Sequence, residues 1–270
     1  MEWNPGWLFG GPGRDHLSAR GGNTFDLILL NVPVFDYAIP EPLPNLWPRA
    51  VKTVAADGAA NQLYKHITTG TAEADKYASL DVIIGDLDSL HEKARTYFET
   101  RSTKVIQDHD QYSTDFGKAI NYLRDTSEPR DIVVMGGLGG RVDQGLSQLH
   151  HLYYFQQGPE YGLGKLYLVS EQNITFLLKS GTHRIKVRGY QYEDCEVFAK
   201  YVGILPVREP SVITTKGLEW DVTDWETEMG GMVSTSNHVL PETEVVEVST
   251  TKDVLFTIAL DIDKLTGTGL

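Results

Sequence analysis

The 270-residue chain predicts an α/β domain followed by an all-β domain, and three observations carry that expectation. From Phe25 to about Gln157, short apolar strand-like runs alternate with helical stretches, the rhythm of a parallel sheet with helices on its faces. After Gly158 the helices stop, and short β-rich segments follow one another, separated by turns such as Lys179-Ser180-Gly181 and Met229-Gly230-Gly231. In the first half, an aspartate stands just past one strand-like run after another. The expected architecture is therefore a parallel-sheet, Rossmann-like α/β domain over 25–158 and an antiparallel β-sandwich over 159–270. A partly ordered leader over 1–24 precedes them.

The elements follow in order. Asp26-Leu27-Ile28-Leu29-Leu30 reads as the first strand, and the proline-rich stretch Pro33 to Pro48 as a connector, because proline fits neither a central strand nor a helix interior. Val51 to Ala55 is a strand ending at Asp57, and Gly58 to His66 a helix. Leu80 to Ile84 is a strand ending at Gly85-Asp86-Leu87-Asp88-Ser89, and Leu90 to Thr100 a helix. Lys104 to Ile106 leads to a helix over Ser113 to Arg124, with Phe116, Ile120 and Leu123 on one face and Ser113 as N-cap. Asp131 to Met135 leads to a helix whose repeating apolar positions are Val142, Leu146, Leu149 and Tyr153. The β half offers strands at Leu166 to Val169, Thr175 to Leu178, His183 to Val187, Glu196 to Tyr201, Val212 to Thr215, Glu244 to Val248 and Val254 to Leu260.

Bulk composition narrows the function. A formal net charge of −13 argues against nucleic acid or an anionic membrane as partner, since both need a basic face. No apolar run reaches the length of a membrane span, and the first residues lack the pattern of a signal peptide. Cys195 is the single cysteine, so no internal disulfide forms, a cytoplasmic home is expected, and the thiol reads as inert packing.

In an open parallel sheet the carboxyl ends of the strands share one edge, where ligands bind. Asp57, Asp86, Asp88 and Asp115 therefore converge on one rim, and clustered carboxylates call for a hard cation such as Mg²⁺. Helix capping is the competing reading for Asp88, and dipole stabilisation for Asp115. Gln111 is suited to hydrogen bonding a heterocycle. Lys118, one turn into its helix, either reaches phosphate or is simply solvated. Gly136-Gly137-Leu138-Gly139-Gly140 presents backbone N–H groups to an anion, and Arg141 and Asp143 just beyond it favour phosphate. Trp220 either stacks on a cationic ring or, as is usual in a sandwich, fills the core. Ser234 to Asn237 also reads as an ordinary polar turn, and His150 and His151 carry no metal role.

Five segments in order resemble the thiamin pyrophosphokinase family of the eukaryotic type. They are Ala56-Asp57-Gly58-Ala59-Ala60-Asn61, Gly85 to Ser89, Asp110-Gln111-Tyr112-Ser113-Thr114-Asp115-Phe116, Gly139-Gly140-Arg141-Val142-Asp143-Gln144 and Ser234-Thr235-Ser236-Asn237. The resemblance spans roughly Phe25 to Leu260. It implies transfer of a diphosphate group from ATP to the hydroxyl of thiamin, giving thiamin diphosphate and AMP, by a homodimer with sites between subunits. It implies Asp57, Asp86, Asp88 and Asp115 around Mg²⁺, with Asp86, Asp88 and Asp115 catalytic and Asp88 or Asp115 taking the hydroxyl proton. It implies Asp57, Asn61, Lys118, Arg141, Asp143, Ser234 and Asn237 toward ATP, and Gln111, Trp220, Ser234 and Ser236 toward thiamin. Where the family often shows Asp-Gly-Gly-Ala-Asn-Arg, this chain has Ala59 and Gln62, a less permissive turn and one cation fewer. The other readings are a different Mg²⁺-dependent nucleotidyltransferase or phosphohydrolase, and a non-catalytic nucleotide- or thiamin-binding module.

Overall fold

The apolar runs of the first half pair side by side as parallel strands. In chain order they are β1 (Phe25–Leu29), β2 (Thr53–Ala56), β3 (Val82–Gly85), β4 (Lys104–Gln107), β5 (Asp131–Met135) and β6 (Leu166–Val169). Their order across the sheet is β6-β5-β1-β2-β3-β4, and every neighbouring pair is parallel. The helices are α1 (Pro42–Leu46), α2 (Ala59–Thr69), α3 (Glu92–Glu99), α4 (Asp115–Thr126) and α5 (Val142–Tyr154). This computed structural model describes residues 1–9, 24–31, 42–70, 72–158, 161–189, 191–192 and 195–262.

Burial explains why the central strands are continuous apolar runs. Phe25, Leu27, Ile28 and Leu29 of β1 are all 0% exposed, and each such side chain contributes about 1.5–3 kcal/mol relative to exposure. The edge strand β4 is only partly covered, and it alone of the six carries charge and amide at its two ends. From β1 the chain steps outward through β2, β3 and β4, then returns to place β5 on the other side of β1. That reversal opens a crevice at the carboxyl ends of β1 and β5.

The chain divides into two compact units, and the second is β-rich. Its strands are β7 (Asn173–Leu178), β8 (Gly181–Lys186), β9 (Phe198–Leu205), β10 (Ser211–Lys216), β11 (Trp225–Thr227), β12 (Ser234–His238), β13 (Val245–Thr250) and β14 (Val254–Leu260). One antiparallel set runs β12-β9-β14-β7. The other runs β8-β13-β10-β11, and residues Glu2–Trp3 extend it by pairing parallel to β8. Trp3 is buried, stacks on Phe176 at 4.5 Å and donates its indole N–H to His183 Nδ1 at 2.9 Å.

Several expectations are corrected. Leu166–Val169, read as the first strand of the β half, is the sixth parallel strand, paired with β5 through Val133↔Tyr167 and Val134↔Leu168. The start of the leader belongs with the β-rich unit, not apart from both. The N-cap of α4 is Thr114 rather than Ser113, its hydroxyl accepting from Gly117 N at 3.1 Å. The apolar repeat on α5 does not mark its buried side: Val142 is 78% and Leu146 59% exposed. Ser234 to His238 is a strand, not a turn. The Cys195 side chain, most of the leader and the first part of the proline-rich connector lie outside the described residues.

Candidate active site

Two strand ends and one helix N-terminus deliver one carboxylate each to the same place. Asp57 directly follows β2, Asp86 directly follows β3, and Asp115 opens α4 after β4. One oxygen from each lies within 4.8 Å of the others. Gly85 makes this approach sterically possible. A Cβ there would lie 2.7 Å from Asp57 Cβ and 3.0 Å from Asp115 Oδ1, closer than real contacts allow. Asp57 itself holds a left-handed backbone, φ 40°, a conformation uncommon for residues other than glycine.

The acids are held from outside the cluster. Asp57 Oδ2 accepts from Ser89 N at 3.2 Å, and Asp115 Oδ1 accepts from Asp86 N at 3.3 Å. Lys118 is buried, with Nζ 3.3 Å from Asp115 Oδ1. Asp57 is 3% exposed, and its Oδ1 is buried without a hydrogen-bond partner. Burial, followed by the charges of Asp115 and Asp86, pushes its carboxyl above the usual range. An orphaned buried oxygen between two further carboxylates fits a hard divalent cation with oxygen ligands.

The cluster forms one wall of a cavity of about 620 Å³, within the span typical of small-molecule sites. The loop from β5 to α5 lines the same cavity. Gly139, Gly140 and Arg141 line it, and Gly136 and Gly140 have φ 93° and 75°. Arg141 donates from Nε and Nη2 to the two oxygens of Asp143 at 3.0 and 2.5 Å. That fork raises the guanidinium pKa and lowers that of the carboxyl. Asn31, just past β1, also lines the cavity, so both sides of the sheet's reversal contribute.

The remaining residues singled out in the sequence lie elsewhere. Asp88 is exposed, accepts from Ser89 Oγ at 2.9 Å and is not in the three-acid cluster. Both ends of the Asn61 amide are taken by the loop after Asp86: Nδ2 donates to Ser89 O at 2.7 Å, and Oδ1 accepts from His91 N at 2.8 Å. Lys118 is turned inward against Asp115, neither solvated nor lining the cavity. Gln111 is exposed, in a loop where Asp108 Oδ1 accepts from Asp110 N at 3.0 Å and Asp110 Oδ1 accepts from Tyr112 N at 2.9 Å.

In the β-rich unit, Trp220 is 55% exposed, which overturns the core reading. Its ring leans on His238 at 5.0 Å, and the buried Asn237 clamps its backbone, accepting from Trp220 N at 3.2 Å and donating to Trp220 O at 2.9 Å. Ser234 is half-buried and Ser236 exposed, with φ 55° at Ser236. Sequence reasoning missed the cavity residues Asn31, Ser147 and Gln148 and gave no role to Gln144. Their only signal was position, one or two turns into α5 or just past β1.

Carboxylates gathered at the carboxyl edge of a parallel sheet, in one cavity with a glycine loop and an arginine, are the arrangement of a phosphoryl-transfer enzyme. The family described as "Thiamin pyrophosphokinase, catalytic domain" matches residues 43–161, and "Thiamin pyrophosphokinase, vitamin B1 binding domain" matches residues 182–255. Thiamine pyrophosphokinase 2 of Arabidopsis thaliana is 32% identical over 251 residues, covering 88% of this chain and 87% of that protein. The Saccharomyces cerevisiae thiamine pyrophosphokinase is 28% identical over 285 residues, covering 88% and 86%. A crystal structure of yeast thiamin pyrophosphokinase superposes with a TM-score of 0.81 at 25% identity, covering 98% of this chain and 93% of that one. The chain belongs to the thiamin pyrophosphokinase family.

Proposed function

We propose that the acid-lined cavity carries out ATP-dependent transfer of a diphosphoryl group to the hydroxyl of thiamin, giving thiamin diphosphate and AMP. The observation that carries this reading is the convergence of Asp57, Asp86 and Asp115 in one cavity with Gly139, Gly140 and Arg141, in a chain of this family. Asp57, Asp86 and Asp115 would hold Mg²⁺, which when bound offsets polyphosphate charge and fixes its geometry.

The chain's own groups do the rest. Arg141, splayed by Asp143, and the loop amides bind the phosphates. The thiamin hydroxyl oxygen attacks the β-phosphorus, the bond from the β-phosphorus to the bridging α,β-oxygen breaks, and AMP leaves. The hydroxyl proton passes to a carboxylate. Of the two acids singled out for that step, Asp115 lies in the cluster and Asp88 does not, which favours Asp115. Lys118, beneath Asp115, balances charge there, and Asn61 holds the loop that carries Asp86. Thiamin is assigned to the β-rich unit, where Trp220 presents an open ring face to a cationic thiazolium and Asn237 holds it.

The finer architecture is part of the same reading. The α/β unit is Rossmann-like and catalytic. The β-rich unit is a sandwich, supported by the stacking of Trp3, from one antiparallel set, on Phe176 of the other. A homodimer is supported by the apolar face that α5 turns outward. Among the described residues, no helix is long and apolar enough to cross a membrane. A cytoplasmic location fits a chain with one cysteine. Phosphorus NMR of purified protein with ATP, Mg²⁺ and thiamin tests the reaction. AMP and thiamin diphosphate should appear in equal amounts, whereas ADP with thiamin monophosphate would overturn the reaction type.

A further inference from the structure

We propose that Gln148 and His151, one turn apart on the buried face of α5, are positioning residues: one helix thereby fixes both the glycine loop and the N-terminus of α4 that carries Asp115. Helix α5 is inverted. Its inward positions include Gln148 and His151, 5% and 7% exposed, while Val142 and Leu146 face outward. Burying an amide and an imidazole costs about 1–3 kcal/mol each unless they are hydrogen-bonded. Both are bonded, and each bond ends on a wall of the cavity.

Gln148 Oε1 accepts from Leu138 N at 2.5 Å. Leu138 sits in the glycine loop with φ 57°, an unfavourable backbone for leucine that the amide pins in place. His151 acts through a chain of bonds. Its Nδ1 lies 2.6 Å from Ser147 O, and a carbonyl only accepts, so Nδ1 carries the proton and the neutral ring leaves Nε2 as acceptor. Thr114 Oγ1 donates to that Nε2 at 2.9 Å and accepts from Gly117 N at 3.1 Å. The N-cap hydroxyl of α4 is thus held by a helix remote in sequence. The imidazole sits between Phe116 and Phe155, with ring centroids at 4.9 and 5.6 Å. Gly117 leaves it room, since a Cβ there would be 3.2 Å from Nε2.

The kinetic arm of the test rests on the diphosphoryl-transfer reading, while the metal-binding arm does not. Three variants, His151→Phe, His151→Gln and Gln148→Met, are compared with wild type by Mg²⁺-dependent thermal stabilisation without nucleotide, and by initial rates. His151→Phe keeps the ring stack but removes the acceptor, and should weaken apparent Mg²⁺ affinity by about tenfold, the scale of lost outer support at a metal site. His151→Gln returns an acceptor near the place of Nε2 and should restore most of it. Gln148→Met frees the loop and should raise the KM for ATP by about tenfold while Mg²⁺ affinity stays near wild type. If His151→Phe does not fold, Thr114→Val is read in its place. Lower melting temperatures with unchanged Mg²⁺ affinity and KM would reduce both residues to packing and overturn the proposal. A wild type that makes no thiamin diphosphate overturns the functional reading instead, and the Mg²⁺ arm still decides the role of His151.

Discussion

At the residue scale, Asp57 concentrates the conflict between stability and function. Its carboxyl is buried, half unpartnered and flanked by two more acids, and its pKa is raised. A carboxyl raised in the fold stabilises while protonated, and that contribution is lost as pH rises through its raised pKa. At neutral pH, without metal, the ionised group therefore weighs against folding. Asp57→Asn removes the charge, keeps an oxygen for Ser89 N and offers an amide N–H to the neighbouring acids. In EDTA its melting temperature should exceed that of wild type by a few degrees, and a given Mg²⁺ concentration should raise it less than it raises wild type. A lower melting temperature in EDTA would contradict this account of Asp57. The three acids were legible because each directly follows an apolar run or opens the next helix. The role of Asp88 was not, because a two-acid turn reads the same whether its second carboxylate faces the site or caps its own loop. The direction of Lys118 was equally hidden, since sequence gives spacing along a helix but not which partner a long side chain finds.

At the element scale, the parallel sheet was legible because its central strands are buried on both faces and so read as unbroken apolar runs. Leu166–Val169 was misplaced because a buried parallel strand and a sandwich strand share that pattern. β11 and β12 were missed because Asp221 to Thr227 and Ser234 to His238 are polar, their pairing coming from the backbone rather than from apolar alternation. Helix α5 shows the reverse failure: its apolar repeat starts on exposed Val142 and Leu146, because two of its buried positions, beside Leu152, are the hydrogen-bonded polar groups Gln148 and His151. Its outward Val142 and Leu146 then need another cover, which the proposed homodimer would supply. Sedimentation should show a dimer for wild type and mostly monomer for the double variant Val142→Asp, Leu146→Asp. A wild-type monomer at micromolar concentration would contradict the dimer.

At the scale of the whole molecule, the proposed reaction divides two substrates between the two units. The α/β unit carries the acids and the phosphate wall, and the β-rich unit carries Trp220. Because Trp220 is exposed, with only its backbone clamped, Trp220→Ala should fold normally. Loss of a cation–π contact should raise the KM for thiamin by about tenfold, with the KM for ATP unchanged. An unchanged thiamin KM would place the vitamin elsewhere.

The central claim is that carboxylates from two strand ends and the N-terminus of α4 form one divalent-cation site. Mn²⁺ binding, followed by electron paramagnetic resonance on wild type and on Asp57→Asn, Asp86→Asn and Asp115→Asn, tests it most directly. Each single variant should weaken binding by about tenfold or more. A folded variant among the three that binds Mn²⁺ as tightly as wild type would show that its acid is not a ligand, and the convergence would fail.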